Sequence, residues 1–280
     1  MSDRGKTEAS FQSLDNLNLF YRTWFPLQEH KANIVIVHGL GEHSGRYDRL
    51  ASELSEKGLA VFAYDVRGHG QSQGEKCYVN DFNDYLHDLE SFLGEITPKF
   101  NAKPWFLFGH SAGGEHVVTY VLKMHPNCQG VVLSSPALKA GADISPFLIK
   151  ISGLVNALLP RLKVLGIDPT AISRIPAEIE KYKNDPLIYH DKIPTRTGYN
   201  LQKYFNYIQI NGHKFILPVL IMHGTADRLT NIEGSQEFYR IISSEDRTLK
   251  LYENSFHEIF NDLDRQTAVD DLLAWLMKRI

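Results

Sequence analysis

Trp105-Phe106-Leu107-Phe108-Gly109-His110-Ser111-Ala112-Gly113-Gly114 reads as a short apolar strand, a Gly-x-Ser-x-Gly turn and the start of a helix. In that context Ser111 sits on a strained strand-to-helix elbow, with its hydroxyl exposed above a sheet. A side chain at Gly109 or Gly113 would block the close approach of strand and helix that such an elbow needs. The motif alone decides little: at ordinary Gly and Ser frequencies, about 0.1 chance matches are expected in a chain this long. The strand before it and its partners elsewhere decide the reading.

Outward from the elbow, short β-type runs alternate with helical patterns. Residues 33–37, 59–64, 105–108, 130–134, 218–222 and 249–252 are runs suited to strands. Tyr47, Leu50, Ala51 and Leu54 fall at helical spacing, with Ser44 available as a cap. Phe82, Tyr85, Leu86, Leu89, Leu93 and Ile96 make a second stripe, and residues 117–124 continue the helix after the elbow. Val269, Leu272, Leu273 and Leu276 share one face of a closing helix. This alternation predicts the α/β class, with a mostly parallel sheet and helices on both faces. Residues 11–24 suit an antiparallel edge hairpin, and the first ten or so residues read as disordered. From 137 to 215 the alternation stops, and Pro146, Pro160, Pro169, Pro176, Pro186 and Pro194 punctuate short helical pieces. The chain therefore divides into a core, 1–136 with 216–280, and an insertion, 137–215, where the sheet's C-terminal edge opens.

The 280 residues are 43% hydrophobic, enough for one large core. A net charge of −3 argues against a nucleic-acid partner, which would call for a basic excess. Cys77 and Cys128 read as small buried or idle thiols, because no second pair or histidine cluster accompanies them. The opening MSDRGKTEAS has no apolar signal region, and no apolar run approaches the length of a membrane span. The expected location is the cytoplasm.

A serine hydroxyl is a poor nucleophile unless a base takes its proton and a third group orients that base. On a sheet of this kind the acid and then the histidine should follow the serine, each in a loop after a strand. Asp227 follows the run 218–222, and His257 follows 249–252. Glu253 and Asp246 are less well placed for the acid. His223 precedes the acid, His110 adjoins the nucleophile, and His87, His116 and His125 lie on helices; each reads as surface or structural. Acyl transfer also needs N–H donors for the tetrahedral oxyanion. One is the residue after the nucleophile, Ala112. The other is Leu40, in the Gly-rich turn His38-Gly39-Leu40-Gly41-Glu42-His43, with His38 bracing that loop.

The chain resembles the α/β-hydrolases, and within them the monoacylglycerol lipase and lysophospholipase group. The resemblance rests on residues 38–47, on Asp65-Val66-Arg67-Gly68-His69-Gly70-Gln71-Ser72, on Gly109–Gly114, on Asn184-Asp185-Pro186-Leu187-Ile188 and on the segments carrying Asp227 and His257. It implies Ser111 as nucleophile, Asp227 as orienting acid, His257 as base, and Leu40 and Ala112 as oxyanion donors. It implies a polar head-group pocket made by Glu42, Arg46, His110 and Tyr182. For Glu42 and Arg46 a local salt bridge holding the oxyanion loop is an equal reading. The expected substrate is a lipid ester, monoacylglycerol or lysophospholipid, cleaved without metal or organic cofactor. The family usually carries Met after the nucleophile and Ala in the oxyanion loop, where this chain has Ala112 and Leu40. Residues 147–166 read as an apolar cap helix that lines an acyl tunnel and makes a peripheral membrane contact. A short-chain carboxylesterase, an amide-cleaving hydrolase and a non-catalytic binding protein on the same scaffold are the rival readings.

Overall fold

The computed structural model describes residues 5–140 and 146–280, with the backbone alone for 146–150. β1 (Lys6–Gln12) and β2 (Asn18–Trp24) form an antiparallel hairpin. β3 (Ala32–Val37), β4 (Leu59–Tyr64), β5 (Trp105–His110) and β6 (Gly130–Ser134) follow. β7 (Lys163–Leu165) and β8 (Ile193–Pro194) pair only with each other, and β9 (Val219–Gly224) and β10 (Arg247–Tyr252) complete the main sheet. Its order is β1-β2-β4-β3-β5-β6-β9-β10. β2 runs antiparallel to β4, and every pair from there to β10 is parallel. The hairpin thus forms the antiparallel edge that its sequence predicts.

The central strands are apolar throughout because both faces are covered. Val35, Val37, Leu107, Val131, Leu133, Val219 and Ile221 point to one side. Ile34, Ile36, Phe106, Phe108, Val132, Leu220 and Met222 point to the other. Along the chain the helices are α1 (Asp48–Glu56), α2 (Asn83–Ile96), α3 (Ala112–Met124), α4 (Pro146–Leu158), α5 (Pro176–Asn184), α6 (Thr195–Asn211), α7 (Ile232–Ile241) and α8 (Arg265–Met277). Leu50 and Leu54 of α1 and Leu272 and Leu276 of α8 fill the second face. Residues of α2, α3 and α7 fill the first, joined by Tyr204 and Ile208 of α6. Between β6 and β9 no strand among the described residues joins the main sheet; α6 packs on α3, and α4 on α6.

Three expectations are corrected. Residues 6–10, read as disordered, belong to β1; its side chains are mostly solvent-exposed, so a polar composition hides an edge strand ordered by its ladder to β2. Residues 1–4 lie outside the described residues. Ser44 does not cap α1: its hydroxyl bonds Asp65 and accepts from the Arg22 guanidinium, and Tyr47 precedes the helix with no side-chain cap. Residues 147–166 are not one helix. Pro160 follows the end of α4, as a proline without an N–H requires, and the chain re-forms as β7.

Candidate active site

The elbow exists as the glycine spacing predicts. Ser111 leaves β5 at φ 53° and ψ −122°, a positive φ that a non-glycine residue holds only when its surroundings over-determine it. A Cβ on Gly109 would lie 2.5 Å from the Gly113 carbonyl oxygen, and one on Gly113 would lie 2.2 Å from that of Val37. Strand and helix can meet only because neither has a side chain there. The Ser111 N–H donates to the Ser134 carbonyl at 3.0 Å, and its own carbonyl accepts the Ala137 N–H at 2.9 Å. Ala112 opens α3, so its N–H has no carbonyl one turn back within the helix, and the positive end of the helix dipole points toward the elbow.

The loop after β3 reaches the same place. A Cβ on Gly39 would stand 3.0 Å from the Ser111 Cβ. The Glu42 carboxylate accepts the Gly39 N–H at 2.5 Å and the Tyr47 hydroxyl at 2.9 Å. The Tyr189 N–H donates to the Gly41 carbonyl at 2.7 Å, so the segment after α5 clamps the turn from outside. None of these bonds uses the Leu40 amide. His38 braces the loop as expected: Nε2 accepts the Val66 N–H at 2.9 Å, and Nδ1 therefore donates to the Gly39 carbonyl at 2.7 Å. Burial, then the neighbouring His69, holds its pKa down to about 3, so it is neutral.

Asp227 and His257, at the ends of β9 and β10, are joined by a 2.7 Å contact between His257 Nδ1 and Asp227 Oδ2. Asp227 Oδ1 accepts the Leu229 and Thr230 N–H groups at 2.8 and 3.0 Å, and Oδ2 accepts the Thr230 hydroxyl at 2.8 Å. Burial alone would raise this carboxyl, but the charge of His257 and the hydrogen bonds from His223 and His257 hold it well below the ordinary range. Burial likewise opposes charge on His257, yet the Asp227 carboxylate outweighs it and raises the imidazole. The His257 ring lies 4.7 Å from that of His110, the residue next to Ser111, and the Ser135 hydroxyl donates to the His257 carbonyl at 2.7 Å.

Glu42, Arg46, His110 and Tyr182 also come together. The Arg46 guanidinium sits 5.1 Å over the Tyr182 ring and 3.7 Å from Glu42, whose carboxyl is raised to about 7 by burial and by Glu258. His110 Nδ1 meets the Ser134 carbonyl at 3.0 Å. Glu258 completes the group, accepting from the Arg46 guanidinium. Its one sequence signal is adjacency to His257. Asp185, from the motif after α5, meets His43 Nε2 at 2.9 Å and ties that segment to the oxyanion loop. His223, read from sequence as structural, lies 3.2 Å from Asp227 Oδ2 and so shares the carboxylate with His257. Glu253 is exposed, and Asp246 pairs with Arg279 instead. Cys77 and Cys128 are buried free thiols, which burial pushes up to about 12. A hollow of about 480 Å³ lies between the Gly68–Gly70 turn and residues 186–191; none of Ser111, Asp227 and His257 lines it.

The family described as serine aminopeptidase, S33, matches residues 28–264. The chain is 30% identical over 275 residues to the monoacylglycerol lipase of Mycolicibacterium smegmatis, covering 98% of both. It is 34% identical over 269 residues to the monoglyceride lipase of Rattus norvegicus, covering 95% of this chain and 89% of that one. The crystal structure of Paleococcus ferrophilus monoacylglycerol lipase matches with a TM-score of 0.84 at 30% identity, over 94% of this chain and 99% of that one. With the elbow, its sheet and these relatives in agreement, the chain belongs to the S33 serine aminopeptidase family and has the α/β-hydrolase fold.

Proposed function

We propose that this protein is a serine hydrolase that cleaves monoacylglycerol to glycerol and free fatty acid. The observation that carries the chemistry is the Asp227–His257 pair, set at two strand ends beside the Ser111 elbow. In the reaction the Ser111 hydroxyl oxygen attacks the ester carbonyl while His257 Nε2 takes its proton. Asp227 fixes the imidazole tautomer through Nδ1. The Leu40 and Ala112 amides stabilise the oxyanion; because these donors are backbone groups, the departures at both positions leave them in place. The tetrahedral intermediate expels glycerol, which takes the proton from His257. Water then attacks the acyl-serine with His257 again as base, and the fatty acid leaves as Ser111 regains its proton.

The lipid substrate is supported by the names of the relatives and by the segment 137–215, which we read as a cap. Leu154, Leu158, Leu159, Leu162, Val164 and Leu165 of that segment are all exposed, a surface suited to peripheral contact with a lipid aggregate. No helix among the described residues is long and apolar enough to cross a membrane. The expected acyl tunnel, on residues 147–166, falls in part on the side chains of 147–150, outside what the structure describes. The test is a chain-length series of glycerol esters with wild type and Ser111→Ala. Oleoyl and lauroyl esters should be turned over faster than acetyl and butyryl, with Ser111→Ala inactive on all. A reversed order would replace the lipase reading with a short-chain esterase; unchanged turnover in Ser111→Ala would remove the mechanism.

A further inference from the structure

The loop that carries His257 is held from two sides. On one side the Ala226 N–H, next to Asp227, donates to the Ser255 carbonyl at 3.0 Å. On the other side the contacts come from residues 171–174, which follow β7 in the chain. The Glu258 N–H donates to the Ile172 carbonyl at 2.8 Å, and the His257 N–H meets the Ala171 carbonyl at 3.5 Å. The Ser173 hydroxyl donates to the Asn261 carbonyl at 2.7 Å. Ala171, Ile172 and Ser173 are all buried. Ile172 packs with Tyr182 and Ile188 in an apolar cluster of their own, apart from those on the two faces of the sheet.

Arg174 and Asp262 tie these two segments together. The Asp262 side chain is fully buried. Its Oδ1 accepts the Arg174 N–H at 2.8 Å; its Oδ2 accepts Arg174 Nε at 2.9 Å and the Phe256 N–H at 2.8 Å. Arg174 Nη2 donates to the Ser255 hydroxyl at 3.1 Å and to the Asp264 carboxylate at 2.5 Å. The Ser255 hydroxyl in turn donates to Asp264 at 2.6 Å. One arginine thus fixes both residues before His257 and two carboxylates after it. These bonds are charge-assisted, and Asp262 would be left buried and unpaired without them. The direction of the imidazole, and its 2.7 Å contact with Asp227, follow from the backbone that this arginine holds.

We propose that Arg174, through Asp262, is a positioning residue for His257: it sets the imidazole against Asp227, so that the segment between β6 and β9 acts on the base as well as on the substrate. This inference rests on the reading of His257 as general base. A reacting group misplaced by about 1 Å costs on the order of 100-fold in rate. Acylation and deacylation use the same imidazole, so the effect falls on kcat and is the same for any ester.

The experiment measures kcat and KM for p-nitrophenyl butyrate and 1-oleoylglycerol in wild type, Arg174→Ala and Arg174→Lys, with rates expressed per serine titrated to completion by a fluorophosphonate. Arg174→Ala should lower kcat by about 30-fold on both esters and leave KM within about threefold. Arg174→Lys can pair with Asp262 but cannot also bridge Asp264 and Ser255, so its kcat should lie between, about fivefold below wild type. A loss of stability alone would lower the number of titrated serines and leave kcat per serine unchanged. A folded Arg174→Ala with the wild-type kcat, or a loss confined to KM or to 1-oleoylglycerol, overturns the positioning role and leaves the esterase reading standing. Should Arg174→Ala not fold, Arg174→Lys decides: an equal kcat loss on both esters supports the role, and an unchanged kcat overturns it. Absence of turnover of both esters by wild type overturns the esterase reading, and this inference with it.

Discussion

Asp227 is the residue on which most interactions converge. It accepts two backbone N–H groups, the Thr230 hydroxyl and His257, with His223 at its other side. Asp227→Asn keeps the shape and the Oδ1 acceptor but no longer imposes the Nδ1–H tautomer, so kcat should fall by about 10⁴-fold with the fold retained. In the proposed mechanism His257 can act as base only when neutral. Its pKa is raised in the folded enzyme, so kcat/KM should decline as pH falls through a midpoint above the ordinary value of 6.5. In Asp227→Asn the largest raising influence is gone, and the acid midpoint of the residual activity should move down. A pH–rate profile of both forms checks this; equal midpoints would contradict it. The positions of Ser111, Asp227 and His257, the proposed triad, are legible from sequence because strand-end position and chain order constrain them. Glu258 and His223 are not, because each matters through a contact formed only on folding. Arg46 reaches Glu258 across more than two hundred residues, and no local pattern encodes that.

Among the elements, the sheet was the most legible part and the segment 137–215 the least. Strands covered on both faces are apolar runs whatever their neighbours, so residues 33–37 and 130–134 declare themselves. β1 does not, since Phe11 is its only buried side chain. α4 and β7 read as one apolar stretch, because apolar content alone cannot place the break that Pro160 makes. Their exposed leucines carry the test of the cap role proposed for this segment. Leu154 and Leu158 are 65% and 70% exposed, so replacing both with Asp should cost the fold little. Leu154→Asp/Leu158→Asp should hydrolyse p-nitrophenyl butyrate in solution at near the wild-type rate. It should lose about tenfold on monooleoylglycerol presented in vesicles, with weaker vesicle cosedimentation. Equal losses on the two substrates would remove the proposed interfacial role of this segment.

For the molecule as a whole, the sheet brings the loops after β3, β5, β9 and β10 to one edge, and α3 runs from that edge into the core. One feature of α3 sets a pH dependence of folding. Glu115 is fully buried, and neither carboxyl oxygen has a hydrogen-bond partner. Burial raises its pKa well above the ordinary glutamate value of 4.5, so the folded chain keeps a proton that the unfolded chain has released. Its contribution to stability is therefore present below that value and is lost as pH rises toward the folded pKa, at about 1.4 kcal/mol per pH unit. Glu115→Gln cannot ionise, so its stability relative to wild type should grow between pH 5 and pH 8; urea unfolding at the two pH values measures the gap. A constant gap would show that Glu115 stays ionised or solvated in the fold. The four loops are proposed to make one activated nucleophile, Ser111. Wild type, Ser111→Ala and His257→Ala can be treated with a fluorophosphonate and the adduct mapped by peptide mass. A single adduct should form on Ser111 in wild type, suppressed by monooleoylglycerol, greatly slowed in His257→Ala and absent in Ser111→Ala. An unlabelled wild type, or an adduct that survives Ser111→Ala, would contradict it.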